Sequence, residues 1–151
     1  MKKKIEVGRQ SKYILACFLI HFLFFGYICN VYEKSIGENI LFLHRAIFNP
    51  SSYLSAIILF AIVFITVYRE RFFEYGIRNS IWLILFIIFE SWIWYWFING
   101  FDILIIFIYF TKLETLLTIL SLLGINLLSA FLGASLKQRY LNSLKKLKTI
   151  S

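Results

Sequence analysis

Apolar positions along this chain come in long blocks, each bounded by charged or polar residues. A helix needs ~20 such residues to cross a bilayer. The first block predicts a span over residues 13–32, with Cys17 and His21 as its polar interruptions. The second predicts a span over 53–68, and the third a span over 80–98 that holds Glu90 and Ser91. The last block, Phe101–Leu136, is too long for one crossing, because it would run ~54 Å as a helix against a hydrocarbon core of ~30 Å. Thr111-Lys112-Leu113-Glu114 divides it. The pattern therefore predicts a fourth span over 115–136, preceded by an interfacial or re-entrant segment over 101–110. The expected fold is an all-α polytopic membrane protein, with four helices in one bundle forming a single domain over 1–151. Basic tails at 1–12 and 137–151 flank it.

Composition agrees with this reading. Of 151 residues, 60% are hydrophobic and 16% charged, where a soluble domain has ~45–50% and ~25%. One proline and seven glycines argue against a low-complexity or disordered chain. The formal charge of +8 changes the picture through its placement. Lys2, Lys3, Lys4, Arg9 and Lys12 precede span one, Arg69, Arg71 and Arg78 separate spans two and three, and Lys137, Arg139, Lys145, Lys146 and Lys148 follow span four. The opposite loops hold only Lys34, Arg45 and Lys112. Positive-inside bias then predicts both termini in the cytoplasm, short interfacial segments outside, and an inner-membrane location. Trp92, Trp94, Tyr95 and Trp96 fall where an outer aromatic belt belongs. Because the basic residues sit at span ends, topology explains them before nucleic-acid binding does. Their expected partner is the anionic headgroup layer, at ~1 kcal/mol per basic residue. The basic start before an apolar stretch reads as an uncleaved anchor, since no small-x-small cleavage site follows. For the outer loop over 33–52, an interfacial helix and an irregular loop both stay open.

Candidate chemistry is sparse. Cys17 and Cys29 would stand ~18 Å apart along one helix, beyond disulfide reach, and read as small apolar fillers. No metal-ligand spacing, phosphate loop or nucleophile motif occurs, so neither a cofactor, a metal nor an enzymatic activity is expected. Glu90 is the most informative residue. Counted from Ser80 it lies ~15 Å deep, where a carboxylate costs ~2.5–3.5 kcal/mol on insertion scales. His21 in span one and Asn126 in span four reach similar depths. Two readings stay open: a polar seam that passes ions or meets a partner helix, or hydrogen bonds that hold the bundle at ~0.6–2 kcal/mol per contact. Ser129-x-x-x-Gly133 and Ala130-x-x-x-Ala134 permit close helix approach, within the monomer or in a homo-oligomer. Arg69, Arg71, Glu74 and Arg78 form a cytoplasmic loop that sets topology or docks a cytosolic partner.

Ser51-Ser52-Tyr53 opening span two, Glu74-Tyr75-Gly76 closing the basic loop, and the mid-depth Glu90 together resemble the RexB family of four-span phage-exclusion proteins over residues 51–91. That resemblance implies an inner-membrane protein that conducts ions and depolarises the cell when infection triggers it. In architecture the chain is also similar to immunity proteins against pore-forming colicins, which implies binding of toxin helices within the bilayer. A small integral subunit of a transporter or secretion complex is the remaining expectation.

Overall fold

The structure is a computed structural model that describes residues 7–30, 42–48, 53–70 and 73–150. Among these residues all regular structure is helical. Helix α1 covers Val7–Leu19, passes through a π-helical turn at Ile20–Phe25, and stays helical to Asn30. A short α2, Phe42–Phe48, precedes α3, Tyr53–Arg69. Helix α4 is Phe73–Asn99, α5 is Leu104–Thr111, and α6 is Leu113–Ile150. Ser51, Ser52 and Arg71, with Lys2, Lys3, Lys4 and Lys34, lie outside the described residues.

Among the described residues, three helices are long and apolar enough to cross a membrane: Ser11–Asn30, Glu74–Asn99 and Leu113–Leu147. Only 28% to 33% of their most apolar windows is buried inside the protein. The remaining faces show Phe18, Phe22, Leu85, Phe89, Leu120, Leu128 and Phe131 outward. Helices that are apolar all round, yet covered on one side only, need a lipid solvent for the other. The chain is a helical membrane protein. Helix α3 is apolar but shorter, with 17 residues and so ~25 Å of rise.

Contacts fix the relative directions. Lys12 at the start of α1 donates to the Arg69 carbonyl at the end of α3 (2.9 Å), so these helices run oppositely. Ser129 donates to the Phe60 carbonyl (2.7 Å), and eight residues on Lys137 reaches the Glu70 carbonyl. Helices α3 and α6 are therefore parallel. Asn126 donates to the Ser80 carbonyl (3.1 Å) and ties α6 to α4. Between them the helices bury Ile20, Phe24 and Phe25 of α1, Leu59 and Val63 of α3, Leu83 and Ile87 of α4, and Leu122 of α6.

The α3–α6 seam depends on small residues. A Cβ at Gly133 would stand 2.9 Å from the Phe64 carbonyl oxygen, closer than backbone permits. Ala130 is fully buried and Ala134 nearly so. On the α3–α4 side, a Cβ at Gly76 would meet Val67 Cγ1 at 2.8 Å. Its absence lets the two helices close tightly after the turn at Glu70.

Two boundaries differ from the sequence-based expectation. Helix α4 starts at Phe73, well before Ser80, because no proline interrupts Glu74-Tyr75-Gly76-Ile77 and the packing of Gly76 against α3 offsets its poor helix propensity. Helix α6, 38 residues in all, continues through the basic tail, since Lys, Arg, Gln and Leu are good helix formers. The break between α5 and α6 is at Lys112, whose ψ of 134° is extended. Helix α5 packs back along α4, with Tyr109 and Phe110 edge-on to Trp92 at 5.9 and 5.8 Å.

Candidate functional site

Helix α1 carries one histidine and the apolar part of α4 one glutamate, and the fold joins them. His21 Nδ1 lies 2.8 Å from Glu90 Oε2. Helical phase puts Tyr13, Cys17 and His21 on a common strip of α1, one turn apart, and Phe86, Glu90 and Trp94 on a strip of α4. The π-helical turn begins at Ile20, so His21 sits within the irregularity. One residue more per turn rotates the side chains that follow, a device that recurs at functional sites. Trp94 packs against the imidazole at 5.3 Å between ring centroids, and Phe22 meets it edge-on at 4.8 Å.

The pair forms the polar floor of an open groove of about 420 Å³, lined by Tyr13, Ile14, Cys17, Phe18, His21, Phe22, Phe86 and Glu90. The walls Ile14, Phe18 and Phe22 are exposed, so the groove opens sideways, toward where lipid lies. Glu90 is nearly covered (side chain 10% exposed), while His21 is one-third exposed (33%). The two can share one proton along their hydrogen bond. Imidazolium with carboxylate, and imidazole with carboxylic acid, are both neutral as a pair. Neutrality removes most of the cost of placing either group in hydrocarbon.

Asn126 does not join this pair. Its amide bonds the Ser80 carbonyl, ten residues and ~15 Å of helix from Glu90. The expectation of equal depth takes Ser80 as the inner end of a span, and α4 begins earlier than that. With the start displaced, the three side chains no longer reach one level. Asn126 is fully buried, and its Oδ1 has no partner among the described residues.

Four buried hydroxyls of the interior end on backbone. Thr66 donates to the Ile62 carbonyl, Ser91 to Ile88, Ser80 to Ile77 and Ser129 to Phe60. Each hydroxyl is spent within its own helix or on one neighbour, so these residues do not link into a relay. Of the small residues singled out by spacing, Ser129, Ala130, Gly133 and Ala134 all lie on the buried side of α6.

At the far end of the bundle, Arg69, Glu74 and Arg78 are exposed, with the Arg78 guanidinium 4.8 Å from the centre of the Tyr75 ring. Glu70, which the sequence puts in a charged loop, is 4% exposed. Lys12 Nζ lies 3.8 Å from its carboxylate, and Lys137 reaches its carbonyl. Two ammonium groups thus cap the C-terminal end of α3, where carbonyls lack helical partners.

Sequence reasoning missed Trp94, Cys17 and Phe86 as neighbours of the pair. The aromatic pattern assigns Trp94 to an interfacial belt, yet it stands one turn beyond Glu90 on the same face, a spacing that could have placed it. Its Nε1 is buried without a partner among the described residues. Comparison with known protein families, characterised proteins and solved structures finds no match for this chain.

Proposed function

We propose that this is a non-enzymatic inner-membrane protein of the exclusion and immunity class, which acts by receiving a helix of another membrane protein at the α1–α4 groove. The observation that carries this reading is the lateral opening over His21 and Glu90: Ile14, Phe18 and Phe22 stand exposed around a polar floor. A conducting pore needs a continuous polar path. In this interior the hydroxyls of Thr66, Ser80, Ser91 and Ser129 end on backbone carbonyls, and between them lie Phe24, Leu59, Ile87 and Leu122. A helix-binding guard, such as an immunity protein that meets a pore-forming toxin within the bilayer, needs only a recognition face toward lipid. Four crossings with both termini in the cytoplasm belong to the same proposal, on the strength of the basic-residue distribution.

Two measurements test it. A photo-crosslinking residue at Phe18 or Phe22 should give an adduct with another membrane protein in living cells, and the same residue at Leu132 on α6, also exposed, should not. The purified protein in vesicles holding a potential should pass no current. Adducts of equal yield from both faces, or an ion flux abolished by Glu90→Gln, would remove the helix-receiving reading in favour of the channel.

A further inference from the structure

The hydrogen-bonding capacity that the groove leaves unused defines the chemistry of its occupant. His21 Nδ1 and Glu90 Oε2 are committed to each other. Glu90 Oε1 and His21 Nε2 form no hydrogen bond with any described residue, and both side chains line the groove. Both neutral forms of the pair present the same face. With imidazolium and carboxylate, Nε2 carries a hydrogen and Oε1 accepts. With imidazole and carboxylic acid, Oε2 holds the shared proton, and again Nε2 carries a hydrogen while Oε1 accepts. The floor therefore offers one acceptor and one donor within a trough whose other lining residues are apolar apart from Tyr13 and Cys17.

We infer that the occupant is a transmembrane helix presenting an uncharged side chain that both donates and accepts, a carboxamide or a hydroxyl. The inference rests on the helix-receiving reading above and adds the chemistry of recognition. Hydrocarbon disfavours imidazole with carboxylate, which carries one negative charge, relative to the two neutral forms. Against a neutral pair, a lysine or arginine on the incoming helix would add a net positive charge and an aspartate or glutamate a net negative one. A purely apolar helix would fill the walls but leave Oε1 and Nε2 unsatisfied. Asparagine or glutamine satisfies both at once, and serine or threonine does so with a shorter reach. Phe18 and Phe22, stacked on each other at 6.2 Å, supply the apolar wall on α1 against which such a helix would lie.

The experiment uses the full chain in neutral-lipid vesicles with synthetic helices of ~20 apolar residues, identical except for one central position: leucine, asparagine, lysine or glutamate. Binding is read by energy transfer from labelled peptide to labelled protein. The asparagine helix should bind about tenfold more tightly than the leucine helix, the range of one or two polar contacts in a bilayer. The lysine and glutamate helices should gain nothing over leucine. The double variant H21L/E90L removes both polar partners and should erase the asparagine advantage. If that variant does not fold, Ile14→Trp serves instead, filling the groove mouth with the pair intact and abolishing binding of every helix. Equal binding of leucine and asparagine helices, lost on Ile14→Trp, would overturn the chemistry proposed here and leave the docking groove standing. A preference for lysine or glutamate would overturn it too. Binding insensitive to Ile14→Trp would overturn both this inference and the reading beneath it.

Discussion

Glu90 and His21 show how a costly residue becomes tolerable in lipid. Alone, either would demand water or a partner at a depth where water is absent. Paired at 2.8 Å, each supplies the other's hydrogen-bond partner. Deleting one member leaves the other unsatisfied, whereas deleting both leaves an apolar patch, so the single variants should hurt more than additivity allows. Glu90→Leu and His21→Leu are each expected to destabilise the protein by ~1–2 kcal/mol, and the double variant by less than their sum. Glu90→Gln keeps an acceptor for Nδ1 and should cost less than Glu90→Leu. Unfolding in mixed detergent or by steric trapping measures this; strictly additive losses would mean the two side chains do not act as a pair. The importance of Glu90 is readable in the sequence, since one carboxylate amid apolar residues is conspicuous. His21 is readable as well. Their contact is not, because it depends on how α1 and α4 are turned toward each other, and the sequence of one helix says nothing of the other.

At the level of elements, the close contact of α3 with α6 explains why small residues recur along α6. Gly133 is the tightest point: its missing Cβ would strike the Phe64 carbonyl at 2.9 Å, and a carbonyl cannot rotate away as a side chain can. Gly133→Ala is expected to push the helices apart and cost ~1–3 kcal/mol. Gly124 lies on the same helix, where an added Cβ would have nothing within 4 Å. Gly124→Ala should therefore leave stability unchanged or raise it by up to ~1 kcal/mol, through helix propensity alone. Thermal unfolding of the two variants in the same detergent checks the contrast, and equal losses would remove the packing argument. The small-x-x-x-small spacing is visible in the sequence, but the partner helix is not. Ridges that face each other follow from the rotation of both helices, and the sequence of one helix is silent about the other. Helix ends are the least legible feature. Hydropathy locates where lipid begins to be favourable, whereas α4 and α6 run on as helices beyond that point because no break intervenes there.

For the whole molecule, topology turns on α3. Its 17 residues rise ~25 Å, a few ångströms short of a typical hydrocarbon core. A short apolar helix can still cross if flanking side chains reach for the interface or the bilayer thins, at fractions of a kcal/mol per Å. This bundle supplies support for such a crossing along the helix and at its end. Helix α3 lies among α1, α4 and α6 with Leu59, Ile62, Val63 and Val67 buried, and its C-terminal carbonyls at Arg69 and Glu70 take the ammonium groups of Lys12 and Lys137. Those two lysines gather the start of α1, the end of α3 and the lower part of α6 at a single level, the level where Lys and Arg accumulate in the sequence. If that level is the cytoplasmic surface, α3 must enter from the other side. Single cysteines replacing exposed Tyr53, Glu74 and Ser143, in a chain whose Cys17 and Cys29 are changed to alanine, report this directly. An impermeant maleimide should label position 53 in intact cells, and positions 74 and 143 only after the membrane is opened. Labelling of 53 and 74 from one side would show that α3 does not cross. The bundle would then have three crossings, which would place the chain ends on opposite sides of the bilayer, against both the basic-residue count and the lysine cap at Glu70.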